Sequence, residues 1–314
     1  MVAMVNGALV RNLLIAIGEQ DLKIRKEKAA LSITWFQKIL FDLKQKIDNK
    51  EIRDSLPFYW YKHGPFSEVI QQELTTLYEE EVFSQITTEN GVVLYRLKKT
   101  PKVINEKSFL VAHTVLTQII SETDLFRLHD KLKEIYVNAP YEFMPNYKMD
   151  YLERIREYRE LVDLEKDNQK FLKEYKERLV ACLYECESLL PLDETFSEFN
   201  QIFANMVGEI TTFMSLNKDD DLFLLDECLK VSLEAWDCFA KGVRLEHHDS
   251  YYDDKVPAWK KDFSDSVKRF TKTVALLNEE LLEKYSELSL KEIEPQTDAN
   301  TIMKAIVLGY TNEQ

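Results

Sequence analysis

The arrangement of the N-terminal part is decided by residues 58–80, which read FYWYKHGPFSEVIQQELTTLYEE. An aromatic run ends at Gly64-Pro65, a dipeptide that marks a turn. Ser67 suits the N-cap of a following helix, and Glu68 suits its positive first turn. Apolar residues then recur at the three-to-four-residue spacing of an amphipathic helix; they are Val69, Ile70, Leu74, Leu77 and Tyr78. We therefore predict a turn followed by a helix.

Elements on both sides of this helix complete a small unit. Apolar periodicity predicts two earlier helices, over 6–18 and 32–47. Two β-rich runs follow, at 82–86 and 92–97, and Asn90-Gly91 between them is a strong hairpin signal because both residues tolerate positive φ. Three helices followed by a β-hairpin are typical of a winged helix.

The rest of the chain has the pattern of helices packed on helices. One apolar stripe recurs at alternating four- and three-residue steps, as a bundle seam requires; its members are Leu192, Phe196, Phe199, Phe203, Met206, Ile210 and Phe213. The pattern leaves open whether 149–190 is one helix or two, and a short helix is predicted at 299–308. The fold class is therefore mainly α, with a winged helix and a small β-hairpin followed by an antiparallel helical bundle. We predict a winged-helix domain at 1–100, a helical connector at 101–149 and an acidic bundle at 150–314.

Charge and composition restrict the function classes. The 314 residues have a net charge of -14, and residues 151–314 carry all of this excess, with 35 acidic residues against 21 basic ones. Such a surface repels nucleic acid and anionic lipid, so it suits a protein partner or serves only solubility. No apolar run is long enough for a bilayer, and the four cysteines lie in helical segments without paired knuckles. We expect a soluble cytoplasmic protein without a disulfide framework and without membrane contact.

Two segments of the first half carry a resemblance. Residues 36–41 (FQKILF) and 59–67 (YWYKHGPFS) resemble the signature of the Panacea (SocA-like) antitoxin domain and related prokaryotic winged-helix proteins. The similarity covers about residues 10–97, and this chain adds about 200 residues beyond the usual size of that domain. The resemblance implies a helical domain that recognises proteins, often toxins, or acts as a regulator in phage-related and defence operons, without catalysis.

The leading functional prediction is a non-enzymatic interaction module. It would act as an antitoxin-like regulator or as an assembly subunit of a prokaryotic or phage defence system, with a toxin or defence-complex subunit as partner. The sequence also leaves open that the chain forms a homo-oligomer through its helical bundle. The candidate partner-binding residues lie in the turn and on the adjoining helix: Tyr61, Lys62, His63, Gly64, Pro65, Phe66, Gln71, Gln72 and Thr75.

A DNA-binding transcriptional regulator is the alternative. Residues 58–95 hold one Lys against six Glu, so a duplex should be repelled from the helix that normally enters the major groove. Residues 22–53 instead hold nine Lys or Arg against four Asp or Glu. This basic region is the alternative nucleic-acid site, with the candidates Lys23, Arg25, Lys26, Lys28, Lys44 and Lys46.

Catalytic chemistry has one candidate cluster, near the end of a predicted helix. Its members are Arg244, Glu246, His247, His248, Asp249, Asp253 and Asp254. Adjacent histidines on a helix point about 100° apart, and the sequence has no HExxH motif, phosphate-binding Gly loop or GxSxG elbow. The spacing from Arg244 to His248 is also too short for a ribonuclease of the HEPN type. We predict a polar helix end whose histidines complement the helix dipole, and no enzyme, cofactor or metal site.

Overall fold

The chain folds mainly into helices, with a small antiparallel sheet. The computed structural model describes residues 5–101, 107–164, 168–215 and 221–291, with backbone alone for 285–291. The helix predicted at 299–308 lies outside the described residues. Because the described residues are mostly helical, the predicted mainly α fold class is confirmed.

The N-terminal elements follow the predicted order closely. The helices are α1 (Gly7–Arg25), α2 (Ile33–Lys46), α3 (Lys50–Asp54) and α4 (Glu68–Glu79), and the strands are β1 (Leu31–Ser32), β2 (Tyr59–Tyr61), β3 (Gly64–Phe66), β4 (Phe83–Thr87) and β5 (Val93–Leu97). The predicted hairpin is β4–β5, with Ile86 opposite Leu94. Gly91 in its turn has a φ of 75°, which explains the Asn-Gly sequence there.

Two pairings in this part did not follow from the sequence pattern. The two-residue strand β1 pairs with β5 and completes a sheet of order β1-β5-β4. The short strands β2 and β3 pair across the Gly-Pro turn, with Tyr59 opposite Phe66. Strands of two or three residues are too short to show an alternating pattern, so they cannot be predicted from the sequence. They are identified only by the partners with which they pair in the structure.

The second part of the chain is mainly helical in its described residues. Its helices are α5 (Lys107–Glu122), α6 (Leu128–Val137), α7 (Phe143–Pro145), α8 (Leu152–Leu164), α9 (Gln169–Ser188), α10 (Ser197–Ser215), α11 (Leu222–Glu246) and α12 (Val256–Lys291), with a π-helical segment at Asn146–Tyr151 between α7 and α8. The segment 149–190 therefore contains two helices. The predicted α10 stripe from Phe199 to Phe213 is buried.

Two groups of buried side chains form separate cores. The first extends from Leu9 to Leu125 and includes the inner face of α5. The second extends from Tyr136 to Leu281. Helices of the predicted connector thus contribute to both cores, and the boundaries predicted at 1–100, 101–149 and 150–314 stay predictions. Of the helices that the structure describes, none combines the length and apolar character that crossing a bilayer requires.

Candidate functional site

The Gly-Pro corner, defined here as residues 59–66, is a tight hairpin anchored by a buried lysine. Gly64 has a φ of 83°, a conformation that favours glycine. The Lys38 ammonium, only 2% exposed, donates to the Pro65 carbonyl at 2.9 Å. A Cβ atom on residue 64 would lie 3.2 Å from that Nζ. Both the backbone conformation and the close approach therefore require glycine at the corner.

The start of α4 is held by side chains from distant segments. Gln37 accepts from the Ser67 N–H and donates to the Ser67 carbonyl, each at 2.8 Å. The Glu68 N–H donates to the Tyr252 hydroxyl at 3.1 Å. Ser67 occupies the predicted N-cap position, but its side chain makes no capping hydrogen bond. The prediction that the Ser67 side chain caps α4 is therefore wrong. The first N–H of the helix donates instead to the hydroxyl of Tyr252, which comes from the C-terminal part.

The corner pairs through its backbone with the chain's own C-terminal part. Beyond the end of α11, the Trp60 N–H donates to the His247 carbonyl at 3.0 Å, and the Asp249 N–H donates to the Phe58 carbonyl at 2.9 Å. Tyr59 and His248 form an antiparallel bridge. Strand β2 is thus flanked by β3 on one edge and by residues 247–249 on the other. We call the contact between residues 57–68 and residues 236–262 the seam.

Polar side chains reinforce the seam from both sides. The Asp249 carboxylate accepts from the Phe58 N–H at 2.5 Å and pairs with Lys44. Lys255 pairs with Glu68 at the start of α4. Because each of these carboxylates has a partner from the opposite side, the seam joins the two parts by charge as well as by backbone.

A second polar group fixes the turn of the corner. Lys62 pairs with Asp237, and its carbonyl accepts from the Trp236 indole N–H at 3.1 Å and from the Tyr136 hydroxyl at 3.3 Å. Partial burial, followed by the charge of Lys241, lowers the pKa of Lys62. The Lys62 backbone and side chain are therefore both engaged within the chain.

An aromatic cluster fills the centre of the seam. The Tyr59 ring lies 4.9 Å from that of Tyr252 and 4.8 Å from that of Trp259, and all three residues are buried. The Arg244 guanidinium lies 5.0 Å from the centre of the Tyr61 ring and 5.1 Å from that of Trp259. Each aromatic pair contributes about 0.5–1.5 kcal/mol beyond area burial, so this cluster is a substantial part of the seam's stability.

The burial of the aromatic run differs from expectation. Strict alternation predicts two buried rings among residues 58–61, separated by exposed ones. Instead Phe58 and Tyr59 are both buried, while Trp60 and Tyr61 are half-buried against the second core. Alternation fails because both faces of β2 are covered, one by the N-terminal core and the other by the C-terminal part.

The nine predicted partner-binding residues fall into two groups. Those in the seam are the buried Gly64 and Pro65 and the half-buried Tyr61, Lys62 and Phe66. Those exposed to solvent are His63, Gln71, Gln72 and Thr75. Their role towards a partner stays a prediction, and the second group is the more accessible to another molecule while the seam is closed.

The catalytic candidates also belong to the seam. His248 Nδ1 donates to the Arg244 carbonyl at 3.0 Å, and its Nε2 lies 3.3 Å from Asp253. Arg244 pairs with Asp262, and Glu246 bonds to the Thr195 hydroxyl at 2.5 Å. Among the described residues, no group of three or more His, Cys, Asp or Glu could hold a metal ion. The cluster thus has identifiable structural roles at the end of α11.

The six basic candidates for nucleic acid are also divided by the structure. Three have acidic partners: Arg25 pairs with Asp21, Lys44 with Asp249 and Lys46 with Glu122. The other three are exposed and have no ion pair within the described part of the chain; they are Lys23, Lys26 and Lys28. Of the six candidates, the three without an ion pair therefore lie in one short segment at and just after the end of α1.

A groove lies beside the exposed face of α4. Its volume is about 390 Å³, and it runs between the first turns of α4 and residues 250–255. Glu68 and Gln72 line one wall, and Asp253 and Asp254 line the other. The seam thus creates a concave surface that neither part of the chain would form alone.

Comparison with protein-family models, curated proteins and solved structures found no match. The resemblance of residues 10–97 to the Panacea family stays a hypothesis. The function is therefore inferred from the residues themselves.

Sequence reasoning missed the residues that hold the corner from outside it. Gln37 and Lys38 lie within the quoted FQKILF segment, while Tyr252 and Trp259 lie more than two hundred residues later. A weak signal existed at Lys38, since a lysine in the apolar face of α2 needs a buried acceptor. Nothing in the sequence indicated that this acceptor is the Pro65 carbonyl.

Proposed function

We propose that this chain is a non-enzymatic protein-interaction module whose partner surface is the exposed face of α4 with its adjoining groove. The corner serves a different purpose, because it binds the chain's own C-terminal part. The observation that carries the proposal is the exposure of Gln71, Gln72 and Thr75 on α4 beside a groove that the seam itself creates.

The order of elements supports a winged-helix interpretation of the first part. Helices α1, α2 and α4 are followed by the β4–β5 hairpin, and β1 pairs with β5 as the third strand. In a DNA-reading winged helix, α4 would enter the major groove. Here Glu68 and Glu79 lie on that helix and Glu80 and Glu81 follow it, so a protein surface suits it better than a phosphate backbone.

The resemblance to Panacea antitoxin domains supplies a partner class. A toxin or a defence-complex subunit in a prokaryotic or phage setting fits an acidic, cytoplasmic interaction module. The helical second part would then serve as a rigid support that fixes α4 through the seam, and it remains available for homo-oligomerisation.

Paired capture experiments with the full chain test this proposal. The Gln72→Arg, Thr75→Arg double variant places two long cations on the exposed face without touching the seam. We expect it to lose at least about tenfold in affinity for the captured partner, because bulk and charge at the centre of an interface cost at least about 1.4 kcal/mol.

A matched control separates this surface from general charge effects. The double variant Gln201→Arg, Asn205→Arg adds the same two charges at exposed positions on α10 and should bind as the wild type does. Equal binding by both double variants would assign the partner surface elsewhere.

DNA binding through the end of α1 is a second candidate, favoured by the exposed Lys23, Lys26 and Lys28, which have no ion pair with any residue that the structure describes. Such binding would weaken steeply between 50 and 200 mM salt, because counterion release dominates phosphate contacts at about these concentrations. Duplex binding that vanishes in a Lys23→Gln, Lys26→Gln, Lys28→Gln variant would establish this alternative. Absence of binding at the lower salt concentration would eliminate it.

A further inference from the structure

An aromatic side chain stands beside the groove at the start of α4. Tyr251 lines this groove, and it also lines a second groove of about 250 Å³ on the side of α3. Its ring packs edge-on against the buried Tyr252, with 5.0 Å between the ring centres. The Tyr251 hydroxyl makes no hydrogen bond with the residues that the structure describes. Tyr251 is therefore a half-buried ring that two concave surfaces share and that Tyr252 holds in place.

The walls of the α4 groove carry more negative than positive charge. Three carboxylates line it, those of Glu68, Asp253 and Asp254, against the single ammonium of Lys255. The first turn of α4 adds about half a positive charge, so the walls stay negative. Asp253 and Asp254 come from the opposite side of the seam to Glu68. The negative charge is therefore concentrated only where the two parts of the chain meet.

The acidic groups of the groove differ in how fully they are engaged. Glu68 accepts from the Tyr59 hydroxyl at 3.3 Å and pairs with Lys255. Asp254 makes neither an ion pair nor a hydrogen bond with the residues that the structure describes. Asp253 is 69% exposed, and its contact is with a histidine, 3.3 Å away. The two aspartates thus keep most of their acceptor capacity for another molecule.

The second groove has no such excess of charge. Asp54 and Asp249 line it together with Lys44 and Arg53, so its two carboxylates are matched by two cations. Asp249 also pairs with Lys44 directly. A cationic group is therefore attracted to the α4 side of Tyr251 and not to the α3 side.

Carboxylates next to an aromatic ring suit one cation in particular. A guanidinium is planar, binds a carboxylate through two parallel hydrogen bonds and stacks on aromatic faces, whereas an ammonium is a strongly hydrated point charge. The groove has a volume of about 390 Å³. Binding pockets span about 300–1,000 Å³, so this one is near the lower limit and suits a single long side chain.

We propose that the protein partner inserts an arginine side chain into the α4 groove, where Asp253 and Asp254 bind its guanidinium beside the Tyr251 ring. The proposal rests on the proposed function, because it names the chemistry of the partner at that same surface. The partner's neighbouring residues would cover Gln72 and the exposed face of α4.

Capped tripeptides titrated into the full-length protein test this chemistry. The probes are glycyl-arginyl-glycine and its lysine and glutamate equivalents, each acetylated and amidated, at constant ionic strength. The Ser250 backbone amide and the Gln72 side-chain amide are followed by NMR, since both residues line the groove. We expect a saturable shift with the arginine tripeptide, weaker binding of the lysine tripeptide and no binding of the glutamate tripeptide.

Variants assign the binding to the named side chains. Asp253→Asn, Asp254→Asn should weaken binding of the arginine tripeptide about tenfold, because two exposed charge contacts are lost. Tyr251→Leu should weaken it about threefold through loss of the ring. The matched control is Glu51→Gln, Asp54→Asn, which removes two carboxylates from α3 on the other side of Tyr251. This control should bind as the wild type does.

Several results would overturn the proposal. They are a shift that does not saturate with the arginine tripeptide, equal binding of the glutamate or lysine tripeptide, and equal losses in the two double variants. If the Asp253→Asn, Asp254→Asn variant does not fold, the order of the three tripeptides on the wild type decides. The capture test with Gln72→Arg, Thr75→Arg reports where the partner binds, and the tripeptides report the groove's chemistry without the partner. Failure of the arginine assignment is therefore distinguishable from failure of the proposed function.

Discussion

The hydroxyl of Tyr252 provides a sharp test of the seam, because a single oxygen atom joins three segments. It accepts from the Glu68 N–H at 3.1 Å, donates to the Pro57 carbonyl at 3.4 Å and lies 3.5 Å from the Ser67 hydroxyl. Tyr252 is fully buried. In a Tyr252→Phe variant the ring contacts remain, but the first N–H of α4 loses its acceptor.

The expected magnitude follows from that loss. Leaving a buried donor unsatisfied costs about 1–3 kcal/mol, so Tyr252→Phe should lower the free energy of unfolding by about 2 kcal/mol. Urea denaturation measures the change. The Glu68 amide should also exchange its hydrogen faster, which localises the effect to the start of α4.

The neighbouring tyrosine is a matched control. Tyr251 is half-buried, and its hydroxyl makes no hydrogen bond with the described residues. Tyr251→Phe should therefore change the unfolding free energy by less than about 0.5 kcal/mol. Equal effects of the two substitutions would refute the assignment of Tyr252 as the cap of α4.

Three further predictions concern the corner and its contacts. Gly64→Ala should destabilise the fold by about 1–3 kcal/mol, and by more than Gly91→Ala, because both residues have positive φ but only Gly64 lies against Lys38. Burial lowers the pKa of Lys38 to about 7, so the unfolded state binds more protons between pH 7 and the ordinary lysine pKa. Wild-type stability should therefore rise from pH 7 to 8 relative to that of Lys38→Met in thermal unfolding, and parallel profiles would contradict this. Asp249→Asn should cost about 1–2 kcal/mol in urea denaturation, whereas Asp254→Asn, at an exposed position, should be neutral; equal costs would exclude a carboxylate role in the seam.

Local sequence patterns were sufficient for most of the regular structure. The three-to-four-residue spacing in α10 correctly predicted its buried face, and Asn90-Gly91 correctly placed the β4–β5 turn. Both signals arise within a few residues, where local backbone geometry determines which face of a helix is buried and where a turn forms. Leu192 is the instructive exception, since it is 99% exposed although its spacing fits the stripe. It precedes the first turn of the helix, so the helical period does not apply to it.

Long-range pairing could not be derived in the same way. Phe58 and Asp249 are 191 residues apart, yet they share two hydrogen bonds. Periodicity indicates that a side chain is buried but not which segment buries it. The sequence therefore indicated that the corner is an unusual feature, but it did not indicate which segment of the same chain packs against the corner. The same limit applies to Glu68, whose ion-pair partner Lys255 lies 187 residues later in the chain.

The most direct measurement of the seam is amide hydrogen exchange of the full-length protein at the two backbone pairs that join its parts. If the corner is docked on residues 247–249, the Trp60 and Asp249 amides exchange slowly, at matching rates and only through a larger opening of the structure. Their protection should also fall together in Asp249→Asn. Fast exchange at both amides, at the rate of the exposed turn around Gly91, would contradict a docked corner and with it the assignment of α4 as the free surface.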